Sequence, residues 1–223
     1  MNNKDCTVRI IEDDDDLAKA ITILLESESF SCHRYASAEE FLEELDTEDE
    51  KLNCQINSSK PNSFLIDIRL SGTSGLSLFY NLMQRPGNKL SPVIFLTGHG
   101  DLEMAVDCLK KGAFDFLTKP YKSEELLETL RSSLKESDFR IEQQNYVSQF
   151  EEKLNSLTSR ERELVEPISS GLSNKEIALN FENSIRTIEL HRARVFEKLE
   201  VQSAVELAKI IERFNTLNND LNS

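Results

Sequence analysis

Ser63-Phe64-Leu65-Ile66-Asp67-Ile68-Arg69-Leu70-Ser71-Gly72-Thr73-Ser74-Gly75 is the stretch whose reading decides the fold. Apolar residues run without alternation into one carboxylate, and a loop holding Ser71, Gly72 and Gly75 follows, which is how a strand buried on both faces ends. Asp67 therefore stands at a strand's carboxyl end. In an open parallel sheet those ends hold the ligand site, so a lone acid there is placed for chemistry; capping the next turn is its other use. Its company at the ends of the other strands decides between the two.

Outward from Asp67 the pattern repeats. Val8-Arg9-Ile10-Ile11 is a short first strand that runs into Glu12-Asp13-Asp14-Asp15-Asp16. These acids open a helix whose Leu17, Ala20, Ile21, Leu24 and Leu25 recur at three and four, and Asp at a helix start suits the macrodipole. Residues 32–35 read as a second strand, and Ser37-Ala38-Glu39-Glu40 as a capping box opening a helix through Phe41, Leu42 and Leu45. Residues 46–62 are polar and acidic and read as a surface excursion. Beyond Asp67 come a helix from about Gly75 to Met83, a Pro86-Gly87 break and a fourth strand over 92–97 that ends in Thr97. Gly98-His99-Gly100-Asp101 then caps a helix that Gly112 ends, and residues 114–120 form a fifth strand ending in Lys119. Five strands alternating with five helices predict an α/β doubly wound five-stranded parallel sheet.

From Ser123 the chain turns helical. Leu127, Leu130 and Leu134, then Val147, Phe150, Leu154 and Leu157, keep helical spacing, and a break is expected near Ser137-Asp138. The rest predicts an all-α helix-turn-helix domain. Thr158 and Glu161 form a capping box, Pro167 should kink the helix that follows, and Gly171 stops it. Ser173 and Glu176 form a second capping box, and after a turn at Glu182-Asn183, Ser184 caps a longer helix to Leu199. In that helix Ile185, Ile188, Val195 and Leu199 form the expected buried stripe, with Arg186, Glu189, Leu190, Ala193 and Arg194 opposite. The tail from Asn215 is Asn-rich and expected to fray.

Composition narrows the function. A chain of 223 residues, 30% charged and 39% hydrophobic, is long enough for two small domains, and no apolar run approaches a membrane span. The amino terminus lacks the apolar core of a secretory signal, so a cytoplasmic location and no membrane partner are expected. Cys6, Cys32, Cys54 and Cys108 are scattered with no C-x-x-C pair, which suits reduced thiols. A net charge of -14 argues against indiscriminate coating of nucleic acid. Its distribution is uneven: residues 158–213 hold nine Lys/Arg against ten Asp/Glu, while residues 1–157 hold seventeen against twenty-nine.

Glu12 and Asp13 leave the first strand and Asp67 ends the third, so three carboxylates converge where the sheet order reverses, and a cation must relieve their repulsion. Oxygen-only ligands mean a hard ion such as Mg2+. A carboxylate in such a site can act as nucleophile on a phosphoryl group, with Thr97 and Lys119 binding the oxygens.

On these residues the first 135 positions or so resemble the receiver domain of bacterial two-component response regulators, a flavodoxin-like fold. Leu96-Thr97-Gly98-His99-Gly100-Asp101 looks like the FixJ type in particular. The resemblance implies Glu12 and Asp13 as the metal-binding pair, Asp67 as the phosphorylation site and Arg69 as a ligand through its backbone carbonyl. It further implies Thr97 as the switch hydroxyl, Phe116 as the switch aromatic, and Lys119 before a cis Pro120. The family usually has Pro in the loop where this chain has Ser71. Residues 157–207 resemble the LuxR-type DNA-binding domain, through Leu157-Thr158-x-Arg160-Glu161-x-Glu163, Gly171-x-Ser173-Asn174-Lys175-Glu176-Ile177-Ala178 and Arg186-Thr187-Ile188-Glu189-Leu190-His191-Arg192. Lys175, Arg186, Thr187, Glu189, Leu190, Arg192 and Arg194 are the implied DNA contacts, with Glu189 near base edges and Lys175, Arg186, Arg192 and Arg194 on phosphates. His191 reads as a packed or phosphate-touching side chain.

The expected organisation is a receiver domain over 5–135, a linker helix over 136–153 and a helix-turn-helix domain over 154–215. The implied partners are a sensor histidine kinase, promoter DNA and a second copy of the chain on phosphorylation, with RNA polymerase a further candidate. The protein would catalyse only its own phosphorylation. A haloacid-dehalogenase type phosphatase would need a second Asp two residues after Asp67, where Arg69 stands. A protein-binding adaptor using the helix-turn-helix as an interaction surface is the third class, separable by a gel shift.

Overall fold

The computed structural model describes residues 3–47, 60–85, 90–98 and 102–222. The chain divides into two compact units, Met1–Ile141 and Glu142–Ser223.

In the first unit a short 3-10 turn, Asn3–Asp5, precedes β1 (Thr7–Ile11), α1 (Asp15–Ser27), β2 (Ser31–Tyr35), α2 (Ala38–Thr47), β3 (Asn62–Asp67), α3 (Gly75–Gln84), β4 (Val93–Thr97), α4 (Leu102–Lys110) and β5 (Asp115–Thr118). α5 (Ser123–Asn155) starts in this unit. All neighbouring strands are parallel, in the order β2-β1-β3-β4-β5. β3 and β4 are buried at every position, and successive side chains alternate between two cores. Ile11, Phe64, Ile66 and Phe95 meet Phe41 of α2, Phe79 of α3 and Cys108 of α4 on one face. Val8, Ile10, Leu65 and Leu96 meet Ile21 and Leu25 of α1 and Leu126, Leu130 and Leu134 of α5 on the other. The sheet order reverses between β1 and β3, which brings the ends of those two strands side by side.

Local sequence explains the element starts. Asp14 caps α1, its Oδ1 accepting from Asp16 N and Leu17 N at 3.1 and 3.0 Å. Ser74 caps α3. Gly75 is required by close approach, since a Cβ there would lie 1.9 Å from the Asp67 carbonyl oxygen.

Several expectations change. α5 is continuous through Ser137-Asp138. Ser137 is fully buried and donates to the Leu90 carbonyl at 2.8 Å while accepting from Asn62 N at 3.1 Å, and Ser133 donates to Ser63 Oγ at 2.8 Å. These serines fasten the helix to the sheet instead of capping a break. Of the expected excursion, Asp46 and Thr47 belong to α2 and Asn62 is the buried start of β3; residues 48–59 lie outside the described residues. The Pro86-Gly87 break and most of the cap over 98–101 also lie outside them.

The second unit packs the end of α5 with α6 (Ser159–Ser169), α7 (Asn174–Asn180), α8 (Ile185–Leu199) and α9 (Ala204–Asn222) around Phe150, Leu164, Ile177, Ile188, Val195 and Leu207. Pro167 is in the last turn of α6, and the helix runs on through it to Ser169. It removes one bond of the ladder, the one an N–H there would make to the Glu163 carbonyl, and its own carbonyl accepts from Leu172 N at 3.1 Å. The tail is not frayed from Asn215, because α9 continues to Asn222 with Phe214 against Phe150, ring centroids 5.0 Å apart.

Candidate functional sites

At the carboxyl end of the sheet in the first unit, ligand oxygens of Glu12, Asp13 and Asp67 lie within 4.8 Å of one another. Glu12 follows β1, is 2% exposed, and donates its backbone N–H to the Tyr35 carbonyl at 3.1 Å. Asp67 ends β3 at 8% exposure, and its Oδ1 accepts from Arg69 N at 2.9 Å. Asp13 Oδ2 accepts from Ser71 N at 3.0 Å and from Ser71 Oγ at 2.5 Å. Lys119 directly follows β5 and precedes Pro120 across a cis Lys119–Pro120 bond, and its N–H donates to the Thr97 carbonyl at 2.7 Å. Its Nζ donates to Asp67 Oδ2 at 2.5 Å and to Glu12 Oε2 at 2.7 Å. Thr97 ends β4 fully buried, and its hydroxyl has no partner among the described residues. Phe116 of β5 is half-buried against the core of the α2–α3–α4 face.

Burial sets the charges here. It pushes the Glu12 carboxyl up to about 7, with the Asp67 charge adding and Lys119 opposing. The Ser71 hydroxyl holds Asp13 below its ordinary value. Burial alone would lower Lys119, but the bonds to Asp67 and Glu12 outweigh it and keep the ammonium charged. Tyr121 joins the group unforeseen. Its hydroxyl is buried with no partner among the described residues, and burial, then the Glu12 and Asp67 charges, push it up to about 12. Nothing in the sequence marks it beyond its place after Lys119-Pro120. A donor set of carboxylate oxygens alone fits a hard divalent cation.

In the second unit both expected capping boxes form, Thr158 with Glu161 and Ser173 with Glu176. Between α7 and α8 the chain turns at Glu182, with φ of 49°, and Ser184 caps α8. Arg160 stacks on Phe181 at 4.8 Å and donates to its carbonyl at 3.2 Å, which fixes that turn. Lys175, Arg186, Glu189, Leu190 and Arg194 are exposed, while Thr187 is half-buried with its hydroxyl 2.7 Å from Ser184 Oγ. Two residues depart from their expected places. Ile185 is 46% exposed and leaves the buried stripe to Ile188, Val195 and Leu199, because it lies at the first turn, before α8 is covered by its neighbours. Arg192 turns inward, donating to the Leu172 carbonyl at 3.3 Å and Asn174 Oδ1 at 3.1 Å and stacking on Phe196. It braces the approach to α7. His191 is half-buried, its Nδ1 without a partner among the described residues.

A parallel sheet with three carboxylates, a lysine and a buried hydroxyl at its strand ends, in a chain that also has two capped helices joined by a short turn, defines a receiver domain with a helix-turn-helix DNA-binding domain. The comparisons agree: residues 8–131 match the response regulator receiver domain and residues 155–211 the bacterial regulatory proteins of the luxR family. Over 96% of its length the chain is 32% identical to the response regulator protein TodT of Pseudomonas putida, covering 88% of that protein. It is 30% identical over 95% to the transcriptional regulatory protein FixJ of Bradyrhizobium diazoefficiens, covering 97% of it. The solved structure of the response regulator StyR superposes with a TM-score of 0.78 at 29% identity, over 93% of this chain and 98% of that one. Full-length FixJ from B. japonicum gives 0.53 at 29%, over 94% and 97%. The chain belongs to the response regulators that carry a LuxR-type DNA-binding domain, and it is a transcriptional regulator. Among the described residues no helix is long and apolar enough to cross a membrane.

Proposed function

We propose that a sensor histidine kinase transfers a phosphoryl group to Asp67 and that the modified protein pairs with a second copy on promoter DNA. One observation carries the reading: Lys119 Nζ lies 2.5 Å from Asp67 Oδ2, with the buried Thr97 hydroxyl, which has no partner among the described residues, at the end of the adjacent strand. An Asp67 oxygen forms the new P–O bond while the donor's P–N bond breaks, its electron pair leaving on the imidazole nitrogen. Lys119, released from its bond to Asp67, and the Thr97 hydroxyl then hold phosphoryl oxygens. Glu12, Asp13, Asp67 and the Arg69 backbone carbonyl would hold Mg2+, which when bound neutralises the carboxylates and the oxygens in transfer. The turnover is confined to the protein's own Asp67.

Drawing Thr97 toward the phosphoryl group moves Phe116 and the surface of α4 and β5, where a second copy docks. The exposed Lys175, Arg186 and Arg194 suit phosphates, and Glu189, Leu190 and Thr187 suit base edges on an inverted repeat. Arg192, held by its own chain, supports the domain in place of touching phosphate. We assign the receiver to 5–135, the linker helix to 136–153 and the DNA-binding domain to 154–215, in a cytoplasmic protein with RNA polymerase as a further partner at the promoter. The test is labelling with acetyl phosphate and Mg2+: one phosphoryl group per chain, absent from Asp67→Asn. Undiminished labelling of that variant would overturn the assignment.

A further inference from the structure

Ser71 lies in the loop between β3 and α3, and both of its donors go to a single atom. Its backbone N–H and its hydroxyl reach Asp13 Oδ2 at 3.0 and 2.5 Å, across 58 residues of sequence. The same loop is held from the other side, where Glu39 Oε1 accepts from Thr73 N at 2.8 Å, and from below, where Gly75 N donates to the Ile68 carbonyl at 3.1 Å. The turn between these anchors is Gly72, with φ of 86°. Ser71 is therefore held in a fixed loop, and the carboxylate it grips shares that rigidity. Without Ser71, Asp13 sits at the start of the β1–α1 connection with an ordinary aspartate's freedom about two side-chain bonds. Glu12 and Asp67 are differently placed, since Lys119 bridges them. Asp13 is the member of the trio whose orientation rests on Ser71.

We propose that Ser71 is a positioning residue for the divalent-cation site. With two donors on one oxygen of Asp13 it sets the orientation of that carboxylate toward Glu12 and Asp67, and so raises the affinity of the site before any phosphoryl group arrives. This rests on the cation reading given above. Hydrogen bonds to a ligating carboxylate have a known scale of effect: losing such a partner costs about 10- to 100-fold in metal affinity. A proline at position 71 would have neither donor, and an alanine keeps only the backbone N–H.

The experiment is titration calorimetry of Mg2+ into the full chain, with wild type, Ser71→Ala and Ser71→Thr, and with thermal unfolding of each in EDTA. Ser71→Ala should bind Mg2+ about 10-fold more weakly, while Ser71→Thr, which retains both donors, binds like wild type. Thermal unfolding in EDTA should be the same for all three, which separates positioning from a general loss of structure. Equal affinity in wild type and Ser71→Ala overturns the proposal and leaves the cation reading standing. Equal weakening in Ser71→Thr also overturns it, because the hydroxyl would then not be the operative group. If wild type takes up no Mg2+, the proposal and the cation reading fall together.

Discussion

Glu161 is a buried carboxylate whose loss can be sized from the structure. Its side chain is 3% exposed; Oε2 accepts from Lys198 Nζ at 2.6 Å and from Thr158 N at 2.9 Å. Lys198 also donates to the Ser156 carbonyl at 3.0 Å, so the pair joins the start of α6 to the end of α8. Lys198 first, then the Thr158 backbone, pull the Glu161 carboxyl down to about 2 from an ordinary 4.5. A depression of that size is equivalent to at most about 3 kcal/mol of stability at neutral pH. Lys198 is 32% exposed, so solvent screening brings the figure to about 2 kcal/mol. Glu161→Gln keeps the shape, removes the charge and can turn an amide N–H toward the ammonium. Thermal unfolding of the full chain at pH 7, followed by circular dichroism with hydrogen exchange in α6 and α8, should show that unit melting about 10 °C lower. The sign with pH is set by the depression: the stabilisation is whole above the ordinary value of 4.5 and lost as pH falls from there through about 2. The gap between variant and wild type should therefore narrow steadily below pH 5. An unchanged midpoint at pH 7, or a gap of constant size down to pH 3, would refute the reasoning.

Three further outcomes follow from the same geometry. Thr97→Val removes a buried hydroxyl that has no partner among the described residues, so calorimetry should find the unphosphorylated fold no less stable, while gel shifts lose the gain in DNA affinity on phosphorylation. Gly75→Ala puts a methyl 1.9 Å from the Asp67 carbonyl, against backbone that cannot swing aside; denaturant titration should show the receiver destabilised by about 3 kcal/mol or more. Arg192→Ala should lower stability by about 1 kcal/mol and weaken DNA binding without changing its salt dependence, whereas Lys175→Ala and Arg194→Ala should each reduce the salt slope by about 0.9.

Much of the candidate site was legible because strand ends are legible. An apolar run that stops at Asp67, Thr97 or Lys119 places those side chains at one edge of a parallel sheet, and the alternation of strands and helices supplies that sheet. Tyr121 escaped because nothing local separates a tyrosine on the surface from one whose hydroxyl is enclosed near Glu12 and Asp67.

The sequence alone determined whatever depends on near neighbours. The capping boxes at Thr158 and Ser173 close within three residues, so their hydrogen bonds are set by the chain's own spacing. Tertiary structure decided whatever joins distant segments. Arg192 has the sequence of a phosphate contact, and the fold gives its guanidinium the Leu172 carbonyl and Asn174 as partners within its own chain. Ser137 looked like a helix break, but the buried start of β3 and the Leu90 carbonyl ahead of β4 gave its hydroxyl partners inside an unbroken helix. Lys119 reaches Glu12 across 107 residues, and Ser71 reaches Asp13 across 58. The physical reason is the same in each case: a polar side chain can satisfy itself with water or with any donor or acceptor in reach, and only the packed fold determines which of these it meets.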